Sequence, residues 1–420
     1  MILCAAVEHV NGNILSYSSW ATRGWCRLEL MARQLKREDG YIITVQAPKN
    51  PSLAWNYVGA GQAPGQGSFS FEEDKIEVGG VVLEMLWRKL QQLLERQEVL
   101  KFRFLLNIHQ KYLEGLGLAP IESLVPGFGT EIDPVERPES FLVARFLHEN
   151  LFKDVVERDA AGWTPLCYAA IKGDPFLVSA LLRSRADAND RITRKTHDLP
   201  KNCPVLSVAA AYQNNEVMQV LLAAQAKVSA RCGYRGTALH WAASSGNVSG
   251  IRMLLEHKGD LSLRCLPGSS ALKSACAQNR VAAIRELLKH GMSIRYCLHT
   301  ALLFFGDAST VSCLVEASAD VNEQLKVPAC KTGWWALLKV LRLQHHLKPS
   351  ALTYLAYHHH NATPLMFSIL TGKYDAAALL LEAGARWELR NGRGKTASDF
   401  LREMDASIPV RADRLIAVDL

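Results

Sequence analysis

The chain reads as a mostly α-helical protein, a solenoid of stacked helix pairs behind a small N-terminal α/β or helical unit. Three observations predict that class. Six leucines, Leu166, Leu206, Leu239, Leu272, Leu302 and Leu365, each open a helical pattern, and the steps between them are 40, 33, 33, 30 and 63 residues. Fifteen and sixteen residues after five of these anchors stand Leu181-Leu182, Leu221-Leu222, Leu254-Leu255, Leu287-Leu288 and Leu380-Leu381. Small residues recur where packed helices must approach, as Ala169-Ala170, Ala209-Ala210 and Ala242-Ala243, and Gly173, Gly246 and Gly372 recur seven residues after their leucines. A period near 33 with two helices per unit marks a repeat architecture, in which each unit buries its apolar stripe only against its neighbours.

Taken in order, the first third differs from the rest. Leu28 to Gln34 is helical in pattern, and Tyr41-Ile42-Ile43-Thr44-Val45 is β-rich and reads as a strand. A Gly/Pro loop from Gly59 to Gly67 leads to a short strand expected at Phe69 to Phe71. From Val81 to Leu113 apolar residues return every three and four positions (Val82, Met85, Leu86, Leu90, Leu93, Leu94), giving one long helix or two. Gly117, Pro120, Pro126, Gly127, Gly129 and Pro134 then mark a linker and a domain boundary. The predicted organisation is an N-terminal unit over 1–114, a linker over 115–139, repeats over 140–402 with an insertion at 324–360, and a tail over 403–420.

Within the repeats, Thr164-Pro165-Leu166, Thr237-Ala238-Leu239 and Thr363-Pro364-Leu365 suit helix starts. A threonine can cap the first turn, and proline at the first helical position forfeits only an amide that had no partner. The glycines fit the chain reversal after the first helix, and Asp187-Ala188-Asn189 and Asp320-Val321-Asn322 are turn formers ahead of the next unit. The second unit begins Pro204-Val205-Leu206 after seven extra residues, a loop that includes Arg191, Arg194 and Lys195. The fifth, anchored at Leu302, reaches Leu314-Val315 three residues early. The excess of 30 residues around Trp334-Trp335 is either a degenerate repeat or an inserted helix pair. From about Phe141 to Leu401 the pattern resembles the ankyrin family. Ser140 to Asn150 is expected as a preceding helix that covers the first repeat, and Asn391-Gly392-Arg393-Gly394-Lys395-Thr396-Ala397 as the start of a truncated terminal one.

Composition narrows the function classes. Ten cysteines without a CxxC pair argue against a disulfide scaffold or zinc knuckle and suit reduced thiols in the cytoplasm or nucleus. Met1 to Val7 lacks a basic leader and meets Glu8 early for a secretory signal, and no membrane span is read. A net charge of +7 is mild and diffuse, so no nucleic-acid partner is expected. No cofactor is expected: Gly59-Ala60-Gly61-Gln62-Ala63-Pro64 departs from the dinucleotide fingerprint at its proline. Neither is a metal, since neighbouring histidines in His345-His346 and His358-His359-His360 point apart. His240 fills the usual ankyrin histidine slot, where the ring bonds loop backbone.

One N-terminal motif resembles another family. Trp25-Cys26-Arg27-Leu28-Glu29-Leu30 looks like the Trp-Cys-x-x-Glu-Leu stretch of TIR domains. The resemblance implies that Glu29 matches the catalytic glutamate of members that cleave NAD, with Trp25-Cys26 as its anchor. An acid in the first helical turn could steady a developing cationic sugar. Only 24 residues precede Trp25, fewer than such a domain needs, so the expectation is no NAD consumption and no effect of Glu29→Ala. If an α/β domain were encoded upstream of Met1, the enzyme reading would regain ground.

Two functions therefore compete: a non-catalytic scaffold or adaptor that binds a protein partner through the concave face of the array, and a signalling protein with a TIR-like NAD-cleaving or interaction domain. For the first, the partner-binding candidates are Trp163, Ile171, Lys172, Tyr212, Tyr234, Ser245 and Gln278, the slots just before the threonine-proline-leucine step or just after the alanine pair. An exposed run of Trp163, Tyr212 and Tyr234 beside Lys172 would have the make-up of an interface hot spot, while the same aromatics could instead fill gaps between repeats. The loop with Arg191, Arg194, Lys195 and Lys201 reads as a solvated basic loop, with an acidic partner as the sharper alternative.

Overall fold

Buried leucines and alanines at the repeat period bring the helices into pairs. The computed structural model describes residues 2–3, 7–8, 14–15, 17–35, 42–45, 51–54, 63–195, 199–266, 268–326, 333–347 and 350–403. The Trp334-Trp335 side chains, residues 59–62 of the Gly59–Gly67 loop and nearly all of the tail lie outside what is described. The chain forms two compact units: Ala21–Gly40 with Trp55–Asp260, and Met1–Trp20 with Tyr41–Ala54 and Leu261–Leu420.

The first of these holds the N-terminal helices and repeats 1 to 3. Helix Gly24–Leu35 packs on Asp74–Glu95, which packs on Val99–Tyr112, so the apolar run is two helices broken at Gln97, where φ is 56°. No strand forms at Phe69 to Phe71: Ser68 makes a lone bridge to Arg23, and the chain turns into the helix with Phe71 exposed. Val99–Tyr112 lies against the first helix of repeat 1, Pro165–Lys172, and Pro138–Glu149 lies against the second, Pro175–Arg183. This pair covers the first repeat, as expected of a cap.

The stretch 115–137 is irregular and lies, with the helices on either side of it, in the first of these units. Ile121 is buried and its amide donates to His109 Nε2 at 2.8 Å. Phe128 stands edge-on to Phe141 at 5.6 Å. Glycines and prolines suit any irregular path, tethered or free, so composition alone had no means of telling the two apart. Repeats 2 and 3 follow as Val205–Ala211 with Asn215–Ala223, and Ala238–Ser245 with Val248–Glu256.

In the other unit Ile42–Val45 runs parallel to Ile2–Leu3 and antiparallel to Pro51–Ala54, while Val7–Glu8 pairs with Ile14–Leu15. Its repeats are Ala271–Ala277 with Val281–Lys289, Cys297–Leu303 with Ala308–Glu316, and Pro364–Leu370 with Tyr374–Glu382. Helix Ala397–Glu403 packs on Pro364–Leu370, with Phe400 fully buried.

Burial confirms the leucine register and corrects it once. Leu181, Leu221, Leu254, Leu287 and Leu380, the first of each pair, are 0% exposed, and the alanine pairs are equally buried. Residues seven after the anchor have positive φ at Gly173, Gln213, Gly246, Asn279 and Gly372, so two side chains accept the left-handed turn that glycine takes freely elsewhere. In repeat 5 the anchor is Leu298, with Leu302 one turn further along the same helix. Both are buried, and residues four apart share a helix face, so the apolar period did not separate them. Ala301 and His299 then fall in the alanine and histidine slots, and the hairpin before this repeat is shorter than Leu302 implied.

The long step resolves as an inserted helix pair, Gly333–Leu347 packed on Ala351–His358. Repeat 5 packs directly on repeat 6 across it. Leu325 N donates to Ala362 O at 3.0 Å and Asn361 N to Leu325 O at 2.9 Å, which closes the base of the insertion. Asn322 reaches the far side, donating to Gly384 O at 3.1 Å and accepting from Arg386 N at 2.8 Å.

Candidate partner-binding surface

Four of the seven predicted contact residues are interior. Trp163 is 1% exposed, with Phe104 of the N-terminal helix edge-on to its ring at 6.2 Å and Tyr168 at 5.0 Å. That helix occupies the place where a groove-facing tryptophan would have met solvent. Ile171 and Tyr212 are buried against the next first helix, and Ser245 Oγ donates to Ala210 O at 3.0 Å. Positions just after the alanine pair sit at the end of the first helix and meet the neighbouring repeat. The aromatic run is thus corrected to gap filling at Trp163 and Tyr212. Lys172 and Gln278 are partly exposed, and Tyr234 is 49% exposed.

Tyr234 stands on a tight hairpin tip. Cys232 N donates to Gly236 O at 2.9 Å and Arg235 N to Cys232 O at 2.7 Å, with Arg235 at φ 60°. The tip is tied to the preceding loop by Gly233 N donating to Lys201 O at 2.8 Å. That loop opens as a two-stranded ribbon, Arg191–Ile192 against Cys203–Pro204, with Ile192 buried beneath it. It is fixed to the tip before it by Thr193 N donating to Gly162 O at 3.2 Å, Arg194 donating to Ala160 O at 2.9 Å and Arg158 donating to Arg191 O at 3.0 Å.

The carboxylates of these tips turn inward. Asp190 accepts from Thr164 Oγ1 and from Arg158, so Thr164 serves this bond and does not cap its helix, whereas Thr363 and Ser270 do cap theirs. Asp159 accepts from Tyr168 Oη at 2.7 Å and from the amides of Ala161 and Trp163, and faces Arg103 at 3.6 Å. The Arg103 guanidinium lies 3.6 Å from the centre of the Phe152 ring and donates to Asn150 O and Leu151 O. Burial lowers the Arg103 pKa, and burial with Asp159 alongside raises the Tyr168 phenol well above its usual value. Sequence reasoning missed this clasp, because Arg103 looked like one more residue on an amphipathic helix.

Glu29 is exposed beyond the first turn of its helix, which begins at Gly24; Trp25 Nε1 donates to Asp74, and burial raises the Cys26 thiol pKa. His358 packs among Tyr354, Tyr357 and Phe400, and burial lowers it to about 4. His359 Nδ1 meets Ala356 O at 2.7 Å, while His360 is exposed. His240 Nδ1 accepts from Thr237 N at 3.3 Å, the loop-backbone bond expected of its slot. Cys167 is raised to about 12 by burial and is a packing thiol. Among the described residues no group of His, Cys, Asp and Glu is arranged to hold a metal, and no helix is long and apolar enough to cross a membrane.

Comparison with known proteins agrees with the geometry. The family described as ankyrin repeats matches residues 206–296 in three copies, and a single ankyrin repeat matches 161–192. These segments are ankyrin repeats. The chain is also 60% identical over 38 residues to Dauer abnormal formation protein 25 of Caenorhabditis elegans, a match covering 9% of this chain and 10% of that protein. The shared segment is thus about a tenth of either length.

Proposed function

We propose that the chain is a scaffold or adaptor that binds a protein partner through its repeats, without a catalytic step of its own, in the cytoplasm or nucleus. The observation that carries the reading is Tyr234, a half-exposed aromatic on a hairpin tip fixed by hydrogen bonds on both sides, where the other two candidate aromatics, Trp163 and Tyr212, are buried. Rigid aromatics that lose little freedom on contact are favoured interface anchors. Lys172 and Gln278 remain candidates at partly exposed positions. The free, largely buried cysteines support a reducing compartment. Affinity capture with the full chain should yield a partner, and calorimetry should find that Tyr234→Ala weakens it by about 1–2 kcal/mol with unchanged circular dichroism. Equal affinity of variant and wild type would remove Tyr234 from the interface.

A further inference from the structure

We propose that the hairpin tips of repeats 1 to 3 form a preorganised basic ridge that docks an acidic peptide segment of a protein partner; the inference rests on the interaction reading above and names the partner's chemistry. The described residues of these tips are 158–163, 190–195, 199–204 and 231–236. Arg191, Arg194, Lys195, Lys201 and Arg235 are exposed there and Arg231 is partly so. Among the described residues, none of the six makes an ion pair, while the two described carboxylates of the same tips, Asp159 and Asp190, are buried in internal hydrogen bonds; Asp198 lies outside the described residues. Among the described residues of the ridge the outward charge is therefore of one sign.

The described parts of the ridge are also tied to one another. Backbone bonds join the first tip to the second through Gly162–Thr193 and the second to the third through Lys201–Gly233. Cations held on a fixed frame lose less freedom on binding than cations on a loose loop, and one-sign surfaces steer oppositely charged partners. Tyr234, beside Lys201 and Arg235, is the one large exposed aromatic among the described residues of these tips. A short acidic segment carrying one apolar side chain matches that set. Single-stranded nucleic acid is favoured by several stacking aromatics, and duplex readout needs a helix or ribbon that enters the major groove; a lone tyrosine between hairpin tips offers neither.

The test uses the full chain and a fluorescein-labelled acidic peptide of about twelve residues, rich in Asp and Glu with one Phe, followed by anisotropy from about 0.01 to 0.15 M salt. Binding should weaken steeply with salt. The combined change Arg191→Glu, Arg194→Glu, Lys201→Glu and Arg235→Glu should cost at least about tenfold in affinity, as close charge pairs across an interface do. The milder set with glutamine in place of glutamate should lie between and guards against misfolding, checked by circular dichroism. Arg88→Glu, an exposed cation away from the tips, should change nothing. Absent peptide binding, binding indifferent to the reversal, or tighter binding of a single-stranded oligonucleotide or of phosphatidylserine vesicles would each overturn the ridge. A captured protein partner held equally by wild type and the reversed variant would overturn the ridge and leave the interaction reading standing; no captured partner at all would count against both.

Discussion

Repeats 1 to 3 and repeats 4 to 6 share one leucine register and treat the segments between repeats in opposite ways. The first three widen one hairpin into a basic ribbon and fix each tip to the next. The last three shorten one hairpin and swell another into a helix pair. The fastening between neighbours is nevertheless the same. Asn189 accepts from Lys227 N at 2.9 Å, and Asn322 accepts from Arg386 N at 2.8 Å although an insertion intervenes. The end of a first helix is clasped in both halves as well. Asn214 donates to Ala170 O and Ile171 O, while the Lys373 ammonium donates to Ala301 O, Phe304 O and Gly306 O. A cation suits the negative end of a helix, though burial lowers the Lys373 pKa to about 8. The comparison teaches that helix contacts and a few side-chain clasps define a repeat, and hairpins are free to vary.

The largest expected effect tests the shared register. Leu254→Asp places an unpaired charge where the wild-type side chain is 0% exposed, and should cost about 3–5 kcal/mol in denaturant unfolding followed by circular dichroism. Leu255→Asp, at the half-buried second place of the pair, should cost clearly less. A Leu254→Asp protein that melts like wild type would break the register in the first half.

An intermediate effect belongs to the second half. His299 is buried, its Nε2–H donates to Ala362 O at 3.0 Å, and burial lowers its pKa from 6.5 to about 4. Between those values the unfolded chain takes up a proton that the folded chain refuses. Stability should therefore be full above about pH 6.5, fall as pH drops toward 4 by up to roughly 3 kcal/mol, and change no further from this group below that. His299→Gln should flatten the slope of stability against pH by up to one proton. An unchanged slope would show that the ring is not held neutral.

The smallest effect concerns the insertion. Replacing 327–359 with a short Gly-Ser link should leave repeats 5 and 6 packed and lose about 1–2 kcal/mol, chiefly from the Tyr354 and His358 rings that cover Phe400. Wholesale loss of the helical signal would make the insertion part of the stack and erase the contrast between the two halves.

How much of this was legible depended on what each signal measures. The 15/16 spacing of leucine pairs reports burial on one helix face, and that part of the fold followed from sequence. The same signal was degenerate over one turn, which is why Leu302 stood in for Leu298. Exposure at the site was legible only where no neighbour intervened. Tyr234 sits on a tip and keeps about half its surface exposed, whereas Trp163 met Phe104 from a helix about sixty residues away, and local pattern carries no trace of that. The basic loop was visible as composition, but its one-sign character was not. That needed Asp159 and Asp190 to be seen turning inward.

The bonds at the base of the insertion carry a mechanical consequence. Residues 326–360 are covalently in series with the repeats, yet Leu325–Ala362, Asn361–Leu325 and Asn322–Arg386 join the two sides directly. Under tension along the chain these links act as a shunt, so load passes from repeat 5 to repeat 6 without crossing the helix pair. The pair is then a slack reserve. It should pay out as one step of added contour length when the shunt gives way, and stay folded and unloaded until then.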